Sequence, residues 1–346
     1  MKFIHTADLH LKKGEEDRLE IFGWLVKKAD ELRADYFLIA GDLFDSDADG
    51  TLLRKDVRRI CDAARCRFII IPGNHDADSF GSGCDYGRNV VQLIQKPFHC
   101  LEIDSFKTCG VPYQEERFGE CVKDLPGGID ILLAHGTVYD QSYIYPLLSD
   151  RETEYMPIFP VDLQNVARYV AMGHIHAHSV MLHYEGTQVV YPGSPIALDT
   201  KCDGVRSFRL VVVERDSIEV QEHVIENAPY YLSKEFFVYP QAEARVLETI
   251  EEFLHSIDDP RVMPRVVVQG YIAEKENEYL SALSSLHHKY ESKFPNLRFD
   301  PEIQSWDTVL ANPMVRNFVA KTTDLDDDLR MKIFEVCLPV FSKVLK

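Results

Sequence analysis

No stretch of the 346-residue chain approaches the ~18 uninterrupted apolar residues that a membrane span requires. The opening residues, MKFIHTADLH, place a His and an Asp where a signal peptide would carry its apolar stretch. The expected location is therefore the cytoplasm, with no membrane contact. Basic residues are scarce: 38 Lys and Arg stand against 56 Asp and Glu, a formal net charge of −18. Chains that hold nucleic acid unaided usually show a basic surface. This one as a whole repels a phosphate backbone unless local patches, metals or a partner intervene. No C-x-x-C pair occurs among the eight cysteines at 61, 66, 84, 100, 109, 121, 202 and 337. A disulfide framework belongs to short secreted chains, so the expectation is reduced, mostly buried thiols. Internal repeats and low-complexity segments are absent as well.

What is present is 45% hydrophobic residues, enough for packed cores, in a chain too long for one ordinary core. The first half repeats one pattern: an apolar strand-like run ends abruptly in residues that ligate metals. MKFIHTADLH supplies Asp8 and His10, and YFLIAGDLFD supplies Asp42 and Asp45. FIIIPGNHD supplies Asn74, His75 and Asp76, IDILLAHG supplies His135, and YVAMGHIH supplies His174 and His176. Between the first two runs, Leu19, Phe22, Leu25, Val26, Ala29 and Leu32 recur at helical spacing. Continuous apolar strands alternating with amphipathic helices predict an α/β fold whose sheet is covered on its faces. In such sheets function gathers beyond the carboxyl ends of the strands, so clusters spread from Asp8 to His176 can converge in space.

Residues 1–226 are read as the first domain, closing with a hairpin around Arg215-Asp216. Residues 227–304 read as β-α-β-α-β, a small α+β cap. Residues 305–346 read as a C-terminal helical segment, with Leu325, Leu329, Ile333, Val336, Cys337, Val340 and Val344 on one stripe. That stripe fits packing on its own cap or docking onto a partner's coiled coil.

Seven strand-end groups bind hard or borderline cations: Asp8, His10, Asp42, Asn74, His135, His174 and His176. One structural zinc needs four ligands and prefers Cys, whereas seven mixed O and N donors suit two ions bridged by a carboxylate. Such a pair clamps an in-line displacement at phosphorus. Carboxylate, carbonyl and imidazole without thiolate favour Mn²⁺, with Fe²⁺ or Zn²⁺ as alternatives. His75, next to Asn74, reaches the same cavity at another angle and suits protonation of a leaving oxygen. Asp45 is placed to orient its other ring nitrogen. D-x-H or G-D-x-x-D alone carries little weight. All five clusters in this order, each closing an apolar run, carry a great deal. His5, His99, His178, His183, His223, His287 and His288 lack that context and are expected on the surface or in the core, with the rim of the site as the alternative for His178.

The order D-L-H, G-D-L-F-D, G-N-H-D, H-G, G-H-I-H resembles the calcineurin-like metallophosphoesterase superfamily over roughly residues 1–200. The resemblance implies a two-sheet metallophosphoesterase sandwich flanked by helices. It also implies one metal on Asp8, His10 and His176, another on Asn74, His135 and His174, Asp42 bridging, and His75 as catalytic acid. A narrower resemblance is to the SbcD/Mre-type DNA repair nucleases, in their bacterial exonuclease-like branch. It rests on K-F-I-H-T-A-D-L-H-L, G-V-P-Y at 110–113, Y-P-G-S-P at 191–195 and the small cap. This implies exonuclease and single-strand endonuclease activity on DNA in double-strand-break repair. It further implies homodimers and an SbcC/Rad-type coiled-coil ATPase partner docked near the C-terminus. Position 45 departs from the archaeal and eukaryotic Mre-type enzymes, which carry a His where this chain has Asp45.

The basic segment carrying Arg54, Lys55, Arg58, Arg59, Arg65 and Arg67 can face phosphates, form a dimer contact, or be a solvated helix balanced by acids. The expected function is a divalent-metal-dependent phosphodiesterase, a DNA exonuclease/endonuclease. A phosphodiesterase or phosphatase on nucleotides or another small phosphoester is the alternative, and a non-catalytic metal-binding scaffold stands behind both.

Overall fold

The computed structural model describes all residues except 82, 145–154, 201, 274–275 and 345–346, and within the last helix it leaves out the side chains of 327, 328, 343 and 344. The side chain of Val344, part of the expected stripe, is therefore outside what is described. The chain divides into two compact units, Met1–Tyr230 and Tyr231–Lys346. No helix among the described residues is long and apolar enough to cross a membrane.

The first unit holds two six-stranded sheets. In one, β1 (Lys2–Thr6), β2 (Tyr36–Ala40), β3 (Arg67–Ile71) and β4 (Val90–Gln92) run parallel. The other comprises β5 (His99–Ile103), β6 (Phe106–Val111), β7 (Ile131–His135), β8 (Tyr169–Gly173), β9 (Val180–Tyr184) and β10 (Thr187–Tyr191). The hairpin β11 (Ser207–Val213) and β12 (Ile218–Val224) extends the first sheet on the free side of β1. The strand orders are β12-β11-β1-β2-β3-β4 and β5-β6-β7-β8-β10-β9.

The apolar runs are continuous because each strand is covered on both faces. In β3, Phe68 and Ile70 pack outward with Phe22, Leu25 and Val26 of helix α1 (Glu16–Glu31) and Leu53 and Val57 of α2 (Asp47–Ala63). Ile69 and Ile71 point inward, where they join Phe3 and Leu38 against Ile131, Leu133, Tyr169 and Val190 of the second sheet. The result is an α/β sandwich with a helix layer. Parallel register aligns the strand ends, with Thr6 opposite Ile39, Ala40 opposite Ile71 and His135 opposite Gly173. The segments that follow these strands therefore leave from one rim.

One expectation about cysteine fails. Cys100 and Cys109 form a disulfide, with Cα atoms 4.1 Å apart. The cause is register: Asp104 and Ser105, both at positive φ, turn β5 into β6, and pairing outward from Ile103–Phe106 sets Cys100 opposite Cys109. Cys61, Cys66, Cys84, Cys121, Cys202 and Cys337 are free, four of them buried.

The short helix α3 (Phe118–Val122) belongs to the first unit. The second is built on β13 (Tyr230–Val238), α4 (Glu243–Ser256), β14 (Val262–Ile272), α5 (Glu276–Tyr290) and β15 (Arg298–Ser305), in sheet order β13-β14-β15. Helices α6 (Trp306–Leu310), α7 (Pro313–Ala320) and α8 (Asp327–Val344) follow. Phe334 and Leu338 of α8 pack with Tyr239, Tyr271, Val309 and Val315. The expected stripe is thus not the packed face of α8: Leu329, Val336 and Val340 are 47%, 69% and 59% exposed. The helix buries the neighbouring stripe at 331, 334, 338 and 341, which carries its aromatic side chains.

His5 is a core histidine that ties the two sheets. Its Nε2–H donates to the Met172 carbonyl at 3.2 Å, and its Nδ1 accepts from the Tyr169 hydroxyl at 2.8 Å. Burial lowers its pKa to about 3. The unfolded chain takes up that proton below about 6.5, so the contribution of His5 is complete above that pH and is lost as pH falls toward about 3. Urea unfolding at pH 7 and pH 5 should show the wild type losing about 2 kcal/mol more than His5→Asn. Equal losses would contradict this account.

Candidate metal centre

Beyond the aligned strand ends, the chain adopts backbone that L residues avoid. Asp8, His10, Asp42 and His174 have φ of 55°, 43°, 51° and 101°. Such residues cluster where surrounding structure over-determines them. The supports are visible. The Asp8 N–H donates to the Gly41 carbonyl at 3.1 Å and the His10 N–H to the Asp42 carbonyl at 3.0 Å. The His174 N–H donates to the Asp8 carboxylate at 2.9 Å. Gly73 makes room for the centre, since a Cβ there would lie 2.0 Å from Oδ1 of Asp42.

All seven expected donors come together. Donor atoms of Asp8, His10, Asp42 and His176 lie within 4.8 Å of one another. His10 Nε2 is 3.1 Å from His176 Nε2. Asn74 Oδ1 is 3.0 Å from His135 Nε2, and the His135 ring sits 5.3 Å from that of His174. Asp42 stands between the two groups. Its Oδ2 is 3.5 Å from His10 Nε2 and 3.3 Å from His135 Nε2, yet it is buried without a hydrogen-bond partner. An unsatisfied buried carboxylate oxygen is costly, and a cation beside it removes the cost. The ring orientations agree with this. His135 Nδ1–H donates to the Ala40 carbonyl at 2.8 Å, which directs Nε2 toward Asn74 and Asp42, as ligating histidines are held elsewhere. Burial keeps the His176 pKa well below its ordinary value, leaving a neutral imidazole. The residues therefore fit divalent cations.

His75 projects from the same loop with an exposed ring. Its N–H donates to Asp42 Oδ1 at 3.0 Å, and its ring is 4.7 Å from that of His10. Asp45 faces His75 differently from the expectation: Nδ1 of His75 lies 3.1 Å from the Asp45 backbone carbonyl, not from its carboxylate. The carboxylate is drawn away by cations, with Lys12 Nζ at 3.1 Å and Arg18 Nη1 at 3.2 Å, and it meets His10 Nδ1 at 3.4 Å. Arg18 also donates to the His10 carbonyl at 2.6 Å. Asp45 thus orients His10 with its side chain and His75 with its main chain.

Two residues hold structural roles that the sequence reading did not assign them. Asp76 is buried and accepts from the Gly73 N–H at 2.8 Å and the Phe44 N–H at 3.1 Å, tying the two ligand loops together. Burial, reinforced by the Asp42 carboxylate, pushes its pKa up to about 7. The only signal was its place as the third polar residue of Asn-His-Asp. Arg18 sits in α1 with nothing to mark it. Two residues of the basic segment are paired with acids, Arg58 with Asp62 and Asp85 and Arg59 with Asp56, and Arg54 lies over the Tyr86 ring. His287, His288 and Glu291 form another close donor group, but it is a partly exposed cluster in which His288 and Glu291 pair at 3.2 Å.

Residues 1–178 match the family model described as calcineurin-like phosphoesterase. The chain is 23% identical over 278 residues to the SbcD component of the nuclease SbcCD of Escherichia coli K12, covering 65% of this chain and 68% of that protein. It is 25% identical over 297 residues to the DNA double-strand break repair protein Mre11 of Archaeoglobus fulgidus, covering 76% of this chain and 62% of that protein. Among solved structures, a dimetal phosphatase from Danio rerio is 12% identical with a TM-score of 0.42, covering 65% of this chain and 96% of that one.

Two outcomes follow from the geometry. Burial alone would lower the His135 pKa, but the Asp42 carboxylate raises it to about 9. A cation must displace that proton, so apparent affinity should rise about tenfold per pH unit up to about 9. Calorimetric titration of Mn²⁺ in buffers of different ionisation enthalpy should register proton release, and its absence would contradict the donor geometry. Gly73→Ala should lose metal binding by at least about tenfold, because the new methyl displaces Asp42. Equilibrium dialysis giving wild-type affinity would show that the close approach is unimportant.

Proposed function

The chain belongs to the calcineurin-like phosphoesterase family, and from that premise we propose that it is a two-cation phosphodiesterase acting on DNA. The observation that carries this reading is the buried Oδ2 of Asp42, set between the ring nitrogens of His10 and His135 at 3.5 and 3.3 Å. Asp8, His10 and His176 would hold one ion, and Asn74, His135 and His174 the other, with Asp42 shared. Their carboxylate, amide and imidazole donors, without thiolate, favour Mn²⁺. When bound, such a pair supplies Lewis-acid activation of a phosphoryl oxygen and of water.

The chain's own residues do the rest. His75 is the acid. With Nδ1–H directed at the Asp45 carbonyl, its Nε2 is left to deliver a proton to the leaving oxygen. The backbone bond from His75 to Asp42 keeps that proton at a fixed position relative to the ligands. Asp45 holds His10 and His75 together, and Asp76 holds the two loops together. Removing water-exposed freedom from these groups before the substrate arrives is what makes the arrangement effective.

DNA as substrate is supported by relatives named as part of a nuclease and as a double-strand break repair protein. The charge of −18 and the pairing of Arg58 and Arg59 with acids limit what the chain holds by itself. A coiled-coil ATPase of the SbcC/Rad type would supply the remaining grip. The exposed apolar residues Leu329, Val336 and Val340 of α8 suit such a helix, in a homodimeric assembly in the cytoplasm. The same acidity favours the second reading, hydrolysis of a nucleotide or another small phosphoester.

Labelled duplex and single-stranded DNA should be cut with Mn²⁺ and spared with chelator, alongside hydrolysis of bis-p-nitrophenyl phosphate. Cleavage of the small ester alone would select the second reading. His75→Ala should keep its metal and lose about 10²–10⁴-fold in turnover, while Asp42→Ala should lose metal from both positions. Full turnover by His75→Ala would remove it from the acid role.

A further inference from the structure

Arg206 heads the largest fully buried side chains, at 1% exposure. Burying a guanidinium is expensive unless its donors are used, and here they go to backbone carbonyls. Nε donates to the Ser194 carbonyl at 2.9 Å. Nη2 donates to the carbonyls of His176 at 2.7 Å and Ala177 at 2.5 Å. Nη1 is buried with no hydrogen-bond partner. The His176 carbonyl is also met by the Ser194 N–H at 3.2 Å and by Cys202 Sγ at 3.4 Å. On the far side of this clamp, the Ser194 hydroxyl lies 2.6 Å from the Ile196 carbonyl and 3.0 Å from the Asp8 carbonyl, its one proton shared between the two. Gly193, at φ 76°, lets the turn close, since a Cβ there would lie 2.6 Å from the Ala177 carbonyl and 3.1 Å from Nη2. The Y-P-G-S-P segment, which holds no metal donor, thus joins Asp8 to His176 through one buried cation.

We infer that Arg206 is a positioning residue of the metal centre, fixing the His176 loop and the Asp8 segment so that both face the same ion. The inference rests on the two-cation reading above. A residue that served core stability alone would lower the melting temperature and leave both metal affinities in their wild-type ratio. A clamp on one pair of ligands weakens one ion and spares the other.

The test is Mn²⁺ titration of wild type, Arg206→Lys, Arg206→Gln and, as reference, His176→Asn. Free Mn²⁺ is read by electron paramagnetic resonance, with thermal melting alongside. The expected result is two ions in the wild type. Both Arg206 variants should bind one ion as the wild type does and the other at least about tenfold more weakly, as second-layer changes do, in the pattern of His176→Asn. Arg206→Lys, which keeps a charge and a donor, should be the milder. Two ions at wild-type affinity in both variants would overturn the inference, whatever the melting temperature. If neither variant folds, Ser194→Ala removes the hydroxyl with its contacts to the Asp8 and Ile196 carbonyls and leaves Arg206 in place. The same one-ion weakening supports the clamp, and unchanged binding overturns it. A wild type that binds no ions would instead strike the two-cation reading itself, and this inference with it.

Discussion

The centre is organised by one carboxylate. Asp42, two residues past β2, takes a left-handed conformation, accepts from the His75 N–H at Oδ1, and keeps Oδ2 buried between His10 and His135. Burying a carboxylate in a low-dielectric interior is costly unless cationic groups stand beside it. The surrounding charges show the same tension. Burial opposes the ionised form, and His135, His10 and His75 together outweigh it and hold the Asp42 carboxyl well below the usual range. Everything around it can be understood as arranged to keep that oxygen charged and reachable.

The sandwich provides that arrangement. Two sheets packed through Phe3, Leu38, Ile69, Leu133 and Tyr169 are rigid because their central strands, β1, β2, β3, β7 and β8, are buried on both faces. Their carboxyl ends are level, so short turns suffice to bring Asp8, Asp42 and Asn74 from one sheet to His135 and His174 from the other. The positive φ values at these donors are sustained by hydrogen bonds between those turns, backbone to backbone from Asp8 and His10 and from the His174 N–H to the Asp8 carboxylate. Tight turns and buried charges oppose folding, and the apolar interior offsets them.

The strands and their terminal donors could be read from the chain because both signals are local. FIII followed by Pro-Gly and Asn-His-Asp states a covered strand, a turn and a ligand group within nine residues. The signals that failed depend on register or on competition. The disulfide between Cys100 and Cys109 needed the position of a two-residue turn. The carboxylate of Asp45 was drawn from His75 by Lys12 and Arg18, which spacing alone does not show. The packed stripe of α8 was decided by Phe334 and Leu338, not by the longer aliphatic series beside it. Arg206, thirty residues from His176, carries no local mark at all.

The most direct measurement is anomalous diffraction at the manganese edge from Mn²⁺-saturated crystals. Two peaks about 3.5–4 Å apart, flanking the Asp42 carboxylate, are the predicted result. A single peak, or none within bonding distance of Asp42, would contradict the account.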